Sequence, residues 1–132
     1  MPILSVRFVR FAVIGGIGFV IEAAVITLVG RHLGWGAMNA RMLSFPCAVL
    51  VTWWLNRKYN FRSQNHLVVE GSSYFVVQVA GALSNLAVYA SCVSIFPFFA
   101  AWPVAGLAVG AVAGLLVNFL LSKHFVFGQI KA

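Results

Sequence analysis

Acid is almost missing from this chain. Of 132 residues, 2 are acidic and 9 are Lys or Arg, a net charge of +7. Charged residues make up 8%, where a soluble domain carries about a quarter. With 62% hydrophobic residues, the chain would have nowhere to put its apolar surface in water, so its solvent has to be lipid. Cysteine is scarce too. Cys47 and Cys92 both fall in apolar stretches, with no CxxC or Cys/His cluster, so no disulfide framework and no metal are expected. His32, His66 and His124 lie near loops without ligand spacing. There is no nucleophile elbow, phosphate loop or carboxylate pair, so neither covalent chemistry nor a cofactor is expected. The basic residues flank apolar runs. That reads as orientation signals and contacts with anionic lipid head groups, with no nucleic acid as partner.

What is present is one unit written twice. Arg57-Lys58-Tyr59-Asn60-Phe61 recurs as Lys123-His124-Phe125-Val126-Phe127, shifted by 66 positions. The same shift of 66 pairs Phe8 with Tyr74, Gly15 with Gly81, Gly18 with Ser84 and Leu55 with Leu121. Repeat one covers about 1–66 and repeat two about 67–132 of a single membrane domain. Such repeats point toward transport, because transporter sites often lie where two repeats meet.

Four stretches have the length to cross a bilayer, about 8–29, 38–55, 73–96 and 103–121. The expected fold is all-α, four transmembrane helices arranged as two parallel two-helix repeats. An even number of spans per half makes the halves parallel. The second stretch is short, carries Arg41 near its start and has Pro46 as a kink. A cleaved signal peptide is an alternative for the start, but the first run is too long for one and belongs to the repeat. Between the pairs, about 56–72 reads as a polar connector.

Basic residues set the orientation. Arg7, Arg10, Arg57, Lys58, Arg62, Lys123 and Lys131 fall on one side, Arg31 and Arg41 on the other. Both termini and the middle loop are therefore expected in the cytoplasm. Trp35 and Trp102 then form an outer aromatic belt; Trp53, Trp54, Tyr59, Phe61, Phe125 and Phe127 form an inner one.

Two stripes of small residues run at a spacing of four. One is Ala40, Ser44, Ala48, Thr52, Asn56; the other is Gly106, Gly110, Gly114, Asn118, Ser122. They let helices approach closely where lipid supplies no hydrophobic drive. Packing of the bundle is the favoured role, with a dimer interface as the second. Each stripe turns polar where Arg57, Lys58 and Lys123 follow. Asn56 and Asn118 there either bind a lipid head group or bond a neighbouring helix.

Glu22 is the one acid inside an apolar span. It lies about 18 Å past Arg10 at 1.5 Å per residue, near the midplane. A carboxylate there must pair, protonate or line a polar cavity. A substrate or proton role is the favoured reading, and Asn85 is either a helix–helix hydrogen bond or part of the same cavity. The repeat partner of Glu22 is Val88, so such a site is asymmetric.

Arg10-Phe11-Ala12-Val13-Ile14-Gly15-Gly16 is similar to the opening of GtrA-like proteins, in which an acidic residue follows at the position of Glu22. Leu55-Asn56-Arg57-Lys58-Tyr59-Asn60-Phe61 resembles the family's ending of the second span. The run Asn118 to Phe127 resembles its C-terminal signature, with Lys123 where Arg is common. The resemblance implies flipping of a polyprenyl-phosphate-linked monosaccharide across the bacterial inner membrane, for cell-surface polysaccharide or cell-wall glycan modification. Arg10, Arg57, Lys58 and Lys123 would meet the phosphate, with the tail along the small-residue grooves. Glu22 and Asn85 would meet the sugar, and Arg41 would receive the phosphate on the far side. A homo-oligomer, dimer or larger, and a membrane glycosyltransferase are the expected partners. Two other classes stay open: a non-transporting scaffold for that glycosyltransferase, and a small proton-coupled exporter of lipophilic cations.

Overall fold

A computed structural model of the protein describes residues 2–128. Among them every regular element is helical: α1 (Pro2–Leu33), α2 (Ala37–Leu55), α3 (Leu67–Ile95), the short α4 (Pro97–Ala101) and α5 (Pro103–Leu121). Helix α1 stops where Gly34 takes a φ of 65°, a left-handed conformation that a residue without Cβ adopts cheaply. Helices α4 and α5 start on Pro97 and Pro103, where a missing N–H leaves no bond unmade.

The outside of the chain is apolar. Val13, Phe19, Val20, Leu28, Leu83, Leu86, Val104 and Val112 are all exposed. Ser44, Thr52, Asn56, Asn60, Ser63, Glu70 and Ser122 are buried. That reverses the order of a water-soluble protein and suits a lipid solvent. By length and apolarity, three helical stretches among the described residues can cross a membrane: Leu4–Leu33, Leu67–Ile95 and Val104–Val126. The expected second span is present as α2 but is not one of the three. Asn39, Arg41, Ser44, Pro46 and Thr52 interrupt its apolar run. The protein is thus a multi-pass membrane protein.

Contacts divide the chain into two compact units, one ending at Gly71 and one spanning Ser72–Gly128. In the first, α1 packs on α2. The stripe Ala40, Ser44, Ala48, Thr52, Asn56 is buried at all five positions. A Cβ at Gly18 of α1 would lie 2.6 Å from the Thr52 methyl, so the two helices touch there. In the second unit α3 and α5 approach so closely that an added Cβ would meet backbone atoms. A Cβ at Gly110 would lie 2.7 Å from the Asn85 carbonyl, and one at Gly114 3.0 Å from the Gly81 carbonyl. The small-residue stripes are therefore consumed by packing within each unit, and neither is an open groove for a tail.

Both α2 and α5 end in a π-helical turn, Asn56–Asn60 and Ser122–Val126. The turns are closed by Phe61 N–H donating to the Asn56 carbonyl and Phe127 N–H to the Ser122 carbonyl, each at 2.8 Å. The two turns are 66 positions apart. They change the expected aromatic belt. Phe61 and Phe127 are core residues, each 2% exposed; Phe127 packs on Tyr74 with ring centroids 6.1 Å apart. Of the six residues of the inner belt, Trp54, Tyr59 and Phe125 are exposed. The connector expected over 56–72 shrinks to 61–66, because the π-turn prolongs α2 and α3 begins at Leu67, six residues early. Lys131, counted above for orientation, lies outside the described residues.

Candidate functional site

The first unit concentrates its polar chemistry beyond the C-terminal end of α2. A ladder of amides runs up to it. Asn56 Nδ2 donates to the Thr52 carbonyl at 3.0 Å. Asn60 Nδ2 donates to Asn56 Oδ1 and to the Arg7 carbonyl, each at 3.0 Å, tying the turn to α1. Asn56 is 1% exposed and its amide is engaged within the ladder, while Asn60 makes the bond to α1. The Arg7 guanidinium lies over the Phe61 ring, 5.7 Å from its centroid.

Beside the ladder stands Glu70, in the first turn of α3. Its side chain is fully buried, and that of its ion-pair partner Arg57 is 13% exposed. Glu70 Oε1 accepts from Arg57 Nη1 at 2.8 Å and from Trp53 Nε1 at 3.0 Å. Its Oε2 accepts a short hydrogen bond from the Ser63 hydroxyl. Arg57 Nη2 donates to the Asn65 carbonyl at 2.9 Å. The Trp53 indole lies across Gly71, where an added Cβ would meet the ring at 3.4 Å. One carboxylate thus fixes a tryptophan, an arginine and a serine from three segments of chain.

Outside this knot lies a cavity of about 320 Å³ lined by Trp54, Arg57, Lys58, Arg62, Ser63 and Gln64. Of the site residues expected from sequence, the structure brings Arg57 and Lys58 together here. Arg10 is exposed on α1 and Arg41 is exposed near the start of α2, about 24 Å from Arg57 along the helix. Lys123 is half-buried in the π-turn of the second unit.

Glu22 is half-buried in α1, and its Oε1 is buried without a hydrogen-bond partner among the described residues. In the second unit Asn85 sits against Gly110 and Gly114 of α5, and Asn118 sits against Gly81 of α3. Asn118 Oδ1 and Ser122 Oγ are buried without hydrogen-bond partners among the described residues. A cavity of about 440 Å³ opens between Val76, Val77, Ala80, Leu121 and Phe125, with Ser72 and Ser73 as its polar lining and no cation on its wall.

Sequence reasoning missed Glu70, Arg62, Ser63 and Gln64 by reading them as connector. A signal was present: Glu70 is one of only 2 acids in the chain and falls close after its densest cationic cluster.

No curated protein sequence matches this chain. The family model of the GtrA/DPMS transmembrane domain matches residues 10–127, most of its length. This multi-pass membrane chain belongs to the GtrA/DPMS transmembrane-domain family.

Proposed function

We propose that this protein moves a polyprenyl-phosphate-linked monosaccharide across the bacterial inner membrane, for use in cell-surface polysaccharide or cell-wall glycan. Family membership supplies the lipid class. The observation that carries translocation is Glu22, whose buried Oε1 lacks a partner inside a 30-residue apolar helix. Burying an unsatisfied carboxylate oxygen in lipid is costly, and such groups mark pathways for polar cargo. A sugar hydroxyl can donate to it where the hydrocarbon offers no other donor.

The topology proposed with this function has α2 as a fourth, short crossing and both termini in the cytoplasm. The excess of basic residues on that side supports it. The matched π-turns, 66 positions apart, support two parallel repeats of one unit. Arg10, Arg57, Lys58 and Lys123 would gather the anionic lipid on the cytoplasmic side, and Arg41 would meet it on the other. Asn85 and Asn118 would act by holding α3 against α5.

Reconstituted in liposomes with a labelled polyprenyl-phosphate monosaccharide, the protein should speed equilibration between leaflets. Glu22→Gln should drop it to the rate of protein-free vesicles, with the melting temperature unchanged. Wild-type transport in that variant would remove the basis of the reading.

One observation favours a second reading, a scaffold for a membrane glycosyltransferase. Tyr59 and Phe125 stand exposed beside the cations of the two π-turns and would suit a protein partner. A glycosyltransferase that copurifies, in cells indifferent to Glu22→Gln, would support it.

A further inference from the structure

We infer that the cavity of Trp54, Arg57, Lys58, Arg62, Ser63 and Gln64 is a docking site for the phosphate group of a lipid. The site is built around fixed charge. Glu70 neutralises Arg57 and holds it in place, with both of its oxygens already engaged. Arg57–Glu70 is the one ion pair among the described residues. Lys58 and Arg62 therefore leave the cavity two charges positive, with Lys58 resting over the Tyr59 ring at 5.3 Å. A guanidinium has five N–H donors, and Arg57 spends one on Glu70 and one on Asn65, leaving three. Lys58, Arg62 and the Gln64 amide add more. This is an excess of donors and of positive charge around one centre. It matches a phosphate, with several acceptor oxygens and up to two negative charges, better than a carboxylate with two oxygens.

Arg62 carries a second sign. Its φ is 50°, the left-handed region that residues with a Cβ occupy at a cost. It ends the π-turn as a Schellman cap does, with Ser63 N–H donating to the Arg57 carbonyl at 2.9 Å. Glycine would fill that position without strain; Gly128, its counterpart under the shift of 66, does not take a left-handed φ. The first unit keeps an arginine in a conformation that glycine would take more cheaply.

A stripe of α2 says that the phosphate arrives on a lipid. Leu43, Leu50 and Trp54 are exposed and share one face of α2, and Trp54 lines the cavity with Lys58. An isoprenoid or acyl chain lying on that face would put its phosphate in the cavity. The apolar cavity of the second unit offers no cation for one. The inference rests on the proposed function only for which lipid is carried.

The test is equilibrium binding to the full-length protein in detergent micelles, with farnesyl phosphate, farnesol and inorganic phosphate as probes. Farnesyl phosphate should bind wild type well above farnesol, and inorganic phosphate should compete weakly. Arg62→Gly should weaken farnesyl phosphate at least about tenfold, the loss expected for one charge-assisted contact. The same variant should melt no lower than wild type, because it relieves the strained φ. Lys58→Gln should weaken binding similarly. Inorganic phosphate binding as tightly as farnesyl phosphate, and equally sensitive to Arg62→Gly, would keep the anion site and overturn the lipid. Unchanged affinity in both variants, with loss in Lys123→Gln, would overturn the site itself. A wild type that binds farnesyl phosphate but never flips lipid refutes transport and leaves the cavity assigned. A wild type that flips while both variants bind normally does the reverse.

Discussion

Replacing Glu70 with alanine should cost about 3–5 kcal/mol of stability, the loss that follows when one partner of a buried ion pair is removed. The side chain has no exposure and three donors converge on it: Arg57, Trp53 and Ser63. Alanine strands all three. The guanidinium is the costliest, since it is left without its counter-ion and is only 13% exposed. The Trp53 indole N–H loses its acceptor too, and with it the reason to lie over Gly71. Denaturant unfolding in mild detergent measures the loss. A cost under about 1 kcal/mol would make the pair equivalent to an exposed salt bridge and refute its role as the knot. Glu70→Gln should lose less, because a neutral amide still accepts from the indole.

Gly110→Ala should destabilise the protein by about 1–3 kcal/mol, the usual cost of forcing a methyl into a filled interface. The new Cβ would meet Asn85 Oδ1 at 2.5 Å and the Asn85 carbonyl at 2.7 Å. A side chain can swing aside; a backbone carbonyl inside α3 cannot. The helices must part, and that also loosens Asn85 itself. Gly15→Ala is the control. A Cβ there meets nothing within 4 Å, so helix propensity alone should add up to about 1 kcal/mol. Thermal melting of both variants in one detergent checks the pair. Equal melting temperatures would mean that α3 and α5 do not depend on close approach.

These two cases show what could be read from the chain beforehand. The stripe from Ala40 to Asn56 was legible because close packing writes itself as small residues every four positions, and all five proved buried. Its counterpart from Gly106 was legible for the same reason. The knot was not. Glu70 reaches Arg57 across a π-turn and a short loop, a separation of 13 residues with no period to announce it. Tyr59 and Phe61 look alike as an aromatic pair two apart, yet one is exposed and the other buried. A π-turn breaks the 3.6-residue phase that would have told them apart. Glu22 stood out because an acid among apolar neighbours is conspicuous whatever the fold. Asn85 was ambiguous between cavity and contact, and only the glycines opposite it reveal the contact.

The two π-turns also carry a chronology. A bond spanning five residues in place of four encloses one extra residue in the helix. Under the proposed duplication, that extra residue is recorded at Asn56–Asn60 and again, 66 positions on, at Ser122–Val126. One insertion before the doubling accounts for both; after it, the same event must have happened twice at one place. On that proposal the ancestor would be a single hairpin that already had its π-turn. A present-day chain of one such unit should have it too, and one with a plain α-helical ending would reverse the order of events.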